Sequence, residues 1–328
     1  MSKHILVCGG GSIARRHIKN LLQLGVTVTV WRSRNHLLAD LAEEFPINTC
    51  DNLLSIFNDV DGVVIATSTD THISIALQAL KAKRAIFIEK PISHNWINVD
   101  KLFDLGKNIV IEVGFQFRSH PNLTVLKKKL EKFNTLDLLS YRFAMGYRLD
   151  LWRPGQDYKQ SYSADSSRGG GALFDLIHQI DIALWFFGPV VEINAVLSKR
   201  SSLKIDADDI ANLILTHACG ITGSIQLDML SPINRCEIEI ITNNSIINWN
   251  NTEGKLFETN PLHDKVLINQ VPQLFERNDL FLSHMKHWIN RLDNSNLISR
   301  CSLESGAEAL KVAIAARDSS NLKQTLKI

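Results

Sequence analysis

Residues 5–14 read Ile-Leu-Val-Cys-Gly-Gly-Gly-Ser-Ile-Ala: an apolar run breaks at three glycines and resumes with helical spacing. Between a strand and a helix, this is the G-x-G-x-x-A pattern at Gly9, Gly11 and Ala14. Gly9 permits the tight turn, Gly11 lets backbone approach a ligand, and the small Ala14 lets helix and strand pack closely. The helix then starts with unpaired N–H groups and the positive end of its dipole, so Gly9, Gly11, Ser12, Ile13 and Ala14 are expected to hold the pyrophosphate of a dinucleotide. A glycine turn without a ligand is the plain alternative, and the pattern around it argues against that.

Short β-branched runs continue at 26–31, 62–67, 85–89 and 110–115, with helical stretches at 12–24, 36–44, 71–82 and 95–105 between them. Parallel strands need crossover connections and cover on both sheet faces, so this alternation predicts a doubly wound Rossmann domain over residues 1–120. After His120-Pro121 the texture changes to a helix carrying Lys127, Lys128, Lys129 and Lys132, a polar aromatic loop, a glycine triplet and alternating strands at 190–199, 210–217, 223–230, 235–242 and 245–250. Residues 121–302 are therefore expected to form an α+β domain with a large, mostly antiparallel sheet. The last helical stretch, from residue 303, is expected to pack back on the first domain. The lysine run reads as a solvated helix face.

With 328 residues there is material for two cores. A net charge of +2 gives no strong field for nucleic acid or anionic membranes, and no apolar run reaches the roughly 20 residues of a membrane-spanning helix. The N-terminus lacks the features of a signal peptide, and five cysteines without CxxC spacing fit reduced thiols in the cytoplasm. Structural zinc is not expected.

NAD-binding folds carry a carboxylate about 20 residues beyond the turn, where it accepts hydrogen bonds from ribose hydroxyls. Here the second strand ends Trp31-Arg32-Ser33-Arg34. Guanidinium groups make bidentate bonds to phosphate oxygens, so Arg32, Ser33 and Arg34 favour the 2′-phosphate of NADP over NAD. If the arginines are merely solvated, NAD is used.

Separated motifs then match one family. Gly9 to His17, Ala66 to His72, Glu89-Lys90-Pro91, Gly114 to Arg118, and Gly169-Gly170-Gly171 through His178 to Asp181 resemble the glucose-fructose oxidoreductase/inositol dehydrogenase (Gfo/Idh/MocA) family over nearly the whole chain. The resemblance implies a Rossmann domain, a second domain whose open sheet often serves oligomerisation (here a dimer or tetramer), and hydride transfer to or from a sugar, nucleotide sugar or cyclitol. It implies that Lys90 reaches both nicotinamide and substrate oxygen, and that an Asp and a His near Asp175 and His178 handle the proton. The common family spacing of that pair is one residue longer than here, and His178 is the better match.

Placement in the chain supports these roles. Lys90 follows an apolar strand, at the carboxyl edge where open α/β sheets bind ligands. Thr67, Ser68 and His72 follow another strand and are expected at the cofactor together with Glu89, Lys90 and Gln116. Arg118, after the sixth strand, and Trp152, Tyr158 and Tyr162 of the polar aromatic loop join Lys90, Asp175 and His178 as candidates for substrate binding, the loop packing on its own domain being the equal alternative. A helix over Asp175 and His178 would place both on one face. Oxidising an alcohol needs a base for the hydroxyl proton, and histidine titrates near neutrality. His178 is thus the proton donor or acceptor, Lys90 polarises the oxygen, and Asp175 orients or serves as a second acid-base group. Three other readings stay open: a structural Asp175–His178 pair, metal ligation by Asp175, His178 and Asp181, and a non-catalytic dinucleotide-binding regulator. Within the family, redox-assisted elimination or hydrolysis is a further alternative. A role in surface-glycan sugar synthesis fits the substrate class.

Overall fold

Strands in the first third of the chain are short, apolar and separated by helices, and they pair in parallel. In the computed structural model, which describes residues 3–33, 38–152, 155 and 157–328, the elements run β1 (His4–Cys8), α1 (Ser12–Gln23), β2 (Thr27–Trp31), α2 (Leu38–Glu44), β3 (Asn48–Thr49), α3 (Leu53–Ile56), β4 (Gly62–Ile65), α4 (Thr69–Lys81), β5 (Ala85–Ile88), α5 (Val99–Gly106) and β6 (Ile111–Val113). There follow α6 (Pro121–Leu130), β7 (Leu138–Gly146), α7 (Ala172–Asp175), α8 (His178–Phe187), β8 (Val190–Ser198), β9 (Ile210–His217), β10 (Thr222–Asp228) and β11 (Arg235–Thr242). The chain ends with β12 (Ile246–Asn250), β13 (Lys255–Thr259), β14 (Lys265–Gln270), α9 (Arg277–Asp293), α10 (Leu303–Leu322) and β15 (Leu326–Lys327). Packing divides it into two units, Met1–Ser119 with Glu276–Ala307, and His120–Phe275 with Glu308–Ile328.

The first unit holds the parallel sheet β3-β2-β1-β4-β5-β6, the doubly wound order expected. Ile5, Leu6, Val7 and Cys8 of β1 are all buried, as a strand covered on both faces requires. Helix α9 also belongs here, although chain order alone groups residues 276–302 with the second domain. The reason is its apolar face: Met285 and Trp288 enter the core formed by Ile5, Val7, Ile18, Leu21, Val64 and Phe87. A capping box between Glu276 and Asp279 starts the helix.

Glu112 fastens this arrangement. Its carboxylate, fully buried on β6, takes hydrogen bonds from His284 (3.0 Å) and Arg291 (2.7 Å) of α9, from the Ser299 hydroxyl (2.9 Å) and from the Cys301 N–H (2.9 Å). Burial alone would raise its pKa, but these donors outweigh burial and hold the carboxyl down at about 2.

The second unit is built on the mostly antiparallel nine-stranded sheet β14-β13-β12-β11-β7-β10-β9-β8-β15. One pair, β7 with β10, is parallel, in register from Ser140 opposite Thr222 to Gly146 opposite Asp228. β9 alternates inward Ala211, Leu213 and Leu215 with outward Asn212 and Ile214, the period-two pattern of a sheet packed on one side. From Glu308 onward the C-terminal segment belongs to this unit, which corrects the expectation that all of it packs on the first domain. The cause is a pair of serines: Ser319 and Ser320 accept the N–H groups of Ala195 and Leu197 on β8, and β15 then adds to the sheet edge.

Glu112 supports folding only while ionised. Its contribution is complete above its ordinary value of 4.5 and is lost as pH falls toward about 2. Glu112→Gln should destabilise the first unit by about 3–5 kcal/mol at neutral pH, and the gap in melting temperature between wild type and variant should narrow over that acid window. A constant gap from pH 7 to 2 would contradict the assignment.

Candidate functional site

The glycine turn has the geometry its sequence demands. Gly9 sits at φ +129°, and a Cβ there would lie 2.4 Å from the Ala66 carbonyl oxygen, so a side chain is excluded by backbone conformation and by space. Its N–H is bound to the Trp31 carbonyl at 2.8 Å, which ties the turn to β2. Gly11 is the N-cap of α1; it makes no side-chain cap bond, a Cβ on it would meet nothing within 4 Å, and the first turn carries no acidic residue. Exposed Gly11 and Ser12 thus open an uncapped, unobstructed helix N-terminus, while buried Ala14 packs beneath it. A pyrophosphate fits this cradle, with N–H groups and helix dipole both favouring an anion.

The Arg32 guanidinium lies over the same turn, close enough that a Cβ on Gly10 would be 2.9 Å from its Nη1. Ser33 is exposed beside it. Arg34 lies outside the described residues. One contact the sequence did not suggest is the ion pair of Arg15, on the first turn of α1, with Glu44 of α2.

Two residues expected at the cofactor are buried. Glu89 is 6% exposed; its Oε1 is paired with His17 Nε2 at 2.7 Å and its Oε2 accepts the Lys90 N–H at 3.3 Å. Burial would raise its pKa, but His17, Lys90 and His72 bring it below the ordinary carboxylate value. His72 is 1% exposed, with Nδ1 2.9 Å from the Pro91 carbonyl and Nε2 3.2 Å from that of Thr67, and burial lowers its pKa. Both side chains therefore join loops within the unit: His72 links the turn after β4 to the turn carrying Lys90, and Glu89 links that turn to α1. Half-buried Lys90 precedes Pro91 across a cis peptide bond at the carboxyl end of β5. Thr67 and Ser68 stand half-buried at the start of α4, where Thr71 Oγ1 donates to Thr67 Oγ1 at 2.7 Å. Gln116 is buried after β6. Arg118 reaches the Arg300 carbonyl (3.1 Å) and Ser305 (3.4 Å), which gives it a place in the first unit's framework.

In the second unit the glycine triplet leads into α7. Gly171, at φ +102°, lies so near Asp208 that a Cβ would come 2.4 Å from Oδ1. Asp208 receives the Leu173 N–H at 2.9 Å, capping the short helix, and burial raises its carboxyl to about 6. The expected single helix is broken at Leu176-Ile177: α7 ends at Asp175 and α8 begins at His178. Asp175, His178 and Asp181 are all buried, at 9%, 4% and 1% exposure. Among the described residues no three His, Cys, Asp or Glu side chains form a metal-ligand group.

Of the aromatic loop, Tyr162 donates to Asp175 Oδ1, and Tyr147 donates to Oδ2. Tyr147 packs on Trp152 with ring centroids 4.5 Å apart. Tyr158 stands apart from them, its hydroxyl accepting the Lys204 N–H at 3.2 Å. The role of Tyr147 was not legible from the sequence beyond its place in a tyrosine-rich loop. Asp208 gave one signal, the paired carboxylates Asp208-Asp209 just ahead of the apolar strand β9.

Comparison with known proteins places these features in a family. Residues 3–109 match the oxidoreductase family with an NAD-binding Rossmann fold, and residues 141–247 match the Gfo/Idh/MocA C-terminal domain. Myo-inositol 2-dehydrogenase of Thermotoga maritima is 25% identical over 98% of this chain and 97% of its own length. Levoglucosan dehydrogenase of Pseudarthrobacter phenanthrenivorans is 32% identical over 53% of this chain, and the match spans 46% of that relative, less than half its length. A solved levoglucosan dehydrogenase in complex with NADH and L-sorbose superposes with a TM-score of 0.88 at 20% identity, covering 100% of this chain and 99% of that one. UDP-N-acetylglucosamine 3-dehydrogenase from Acidithiobacillus ferrooxidans superposes at 0.82 with 17% identity, covering 99% and 100%. No helix among the described residues is long and apolar enough to cross a membrane. With its N-terminal and C-terminal domain models both matched in order, the chain belongs to the Gfo/Idh/MocA oxidoreductase family.

Proposed function

We propose that the chain is an NAD(P)-dependent dehydrogenase or reductase acting on a hydroxyl or carbonyl of a sugar, nucleotide sugar or cyclitol, with surface-glycan sugar synthesis as one setting. The observation that carries this reading is the uncapped N-terminus of α1 behind the Gly9 turn, a dinucleotide cradle at the carboxyl edge of a parallel sheet. Relatives named for inositol, levoglucosan and UDP-N-acetylglucosamine support the substrate class.

The nicotinamide supplies a hydride acceptor or donor when bound. Gly9, Gly11, Ser12, Ile13 and Ala14 hold its pyrophosphate, with Thr67, Ser68 and Gln116 at strand ends of the same edge. Lys90 polarises the reacting oxygen as a cation, His178 takes the hydroxyl proton in oxidation and returns it in reduction, and Asp175 orients the site. Glu89 and His72 hold the Lys90 turn in place. Trp152, Tyr158 and Arg118 are the remaining candidates for substrate contacts; Tyr162, expected among them, donates to Asp175. Retention of Lys90, Asp175 and His178 favours an enzyme over a sensor, which needs the cradle alone.

NADP is the preferred cofactor in this reading, because Arg32 already lies over the turn and can reach a 2′-phosphate. Self-association on the open face of the second unit's sheet completes it: Val196 (58% exposed) and Ile214 (53%) stand there among Asn194, Asn212 and Arg142, beside a cleft of about 680 Å³.

Lys90→Ala and His178→Ala should each lower kcat at least a hundredfold against the substrate found by screening sugars and nucleotide sugars, with cofactor binding by nicotinamide fluorescence unchanged. Full turnover in either variant would reject its role. Arg32→Ala should cut kcat/KM for NADP by about tenfold to a hundredfold, the equivalent of one charge-assisted hydrogen bond, and leave NAD nearly unaffected; a wild type that prefers NAD would refute the NADP assignment. Ile214→Arg should shift the sedimenting species toward monomer, and an unchanged mass would move the interface elsewhere.

A further inference from the structure

The Asp175 carboxylate is held at both oxygens. The Tyr147 hydroxyl donates to Oδ2 and the Tyr162 hydroxyl to Oδ1, each at 2.5 Å. Contacts this short between hydroxyl and carboxylate are charge-assisted bonds. The donors come from separate stretches of chain: Tyr147 follows β7, and Tyr162 opens the turn 162–164 ahead of the glycine triplet. Tyr147 is 5% exposed and braced by Trp152. A carboxylate gripped from two directions has its plane fixed. Two strong donors also lower its basicity, which makes it a poorer acceptor of a substrate proton than a neutral imidazole.

Charged and titratable groups also stand on the elements around α7, His217 at the end of β9 among them. Asp208 caps the helix start, Asp228 ends the strand β10 packed on α7, and His178 opens the next helix. The Arg317 guanidinium lies over the neighbouring Phe174 ring, 5.6 Å from its centroid. The two phenols favour the ionised form of Asp175 by hydrogen bonding to it.

Resting on the roles proposed above, we propose that Tyr147 and Tyr162 are positioning residues that clamp Asp175 as a fixed negative charge, leaving His178 alone to exchange the substrate proton. In the oxidation direction the substrate O–H bond breaks and its proton goes to the imidazole of His178, while the adjacent C–H bond breaks, its hydride accepted by the nicotinamide when bound, and the C=O bond forms. Both phenol protons stay where they are. Asp175 stabilises the resulting imidazolium through its charge and is never protonated in the cycle.

The test is a pH titration of carboxyl-labelled aspartate by carbon NMR in the free protein, with the Asp175 signal assigned from Asp175→Asn. Tyr147→Phe and Tyr162→Phe should each raise the Asp175 titration midpoint by roughly one pH unit, one donor's share. In turnover, each should lower kcat about tenfold and leave KM within twofold. An Asp175 signal that titrates identically in wild type and both variants overturns the clamp, as does a loss confined to KM, which would make the tyrosines substrate contacts. Tyr162→Phe, at a half-buried ring, keeps the test decisive if Tyr147→Phe melts the loop. The titration needs no substrate, so full turnover in His178→Ala would reject the reaction scheme while the NMR result still decides the clamp.

Discussion

Parallel strands cannot be joined by hairpins, and this topological constraint organises the first unit. Each strand must be left at its carboxyl end through a turn into a crossover, so the turns after β1, β4, β5 and β6 gather along one edge. Gly9, Thr67, Lys90 and Gln116 all stand on those turns. The edge works as a binding surface because α1 starts there with its N–H groups unspent. The Ala66 carbonyl in turn leaves room only for glycine at position 9.

Buried ionisable groups secure what the sheet alone leaves loose. Glu89 and His17 join the Lys90 turn to α1, His72 joins it to the turn after β4, and Glu112 draws α9 and the segment 299–301 onto β6. In each case donors surround a carboxylate or a carbonyl accepts from an imidazole, because a buried charge or polar ring without partners would cost more than its packing returns. Asp175 in the second unit follows the same rule with phenols as donors.

Much of the fold was legible because its periodicities are local. The β1 run, the glycine turn and the alternation in β9 and β11 each show a pattern within a few residues. Strand β7, the centre of the second sheet, was not read, nor were β13, β14 and α9. β7 follows a lysine-rich helix without a strong turn signal, and its parallel pairing with β10 joins residues some eighty positions apart. The apolar face of α9 is visible in Leu280, Phe281, Met285 and Trp288, but its spacing does not say which core receives it.

The sequence by itself determined the glycine turn and the order of the Rossmann and mostly antiparallel parts, since these depend on residue type over short spans, while the candidate acid-base residues came with the family resemblance. Only the tertiary structure decided that Glu89 and His72 turn inward, that α9 returns to the first unit while the chain from Glu308 joins the second, and that two tyrosines share Asp175. Those outcomes depend on which donors and apolar faces meet across long separations. Side-chain chemistry supplies the capacity for such contacts, and packing selects among them.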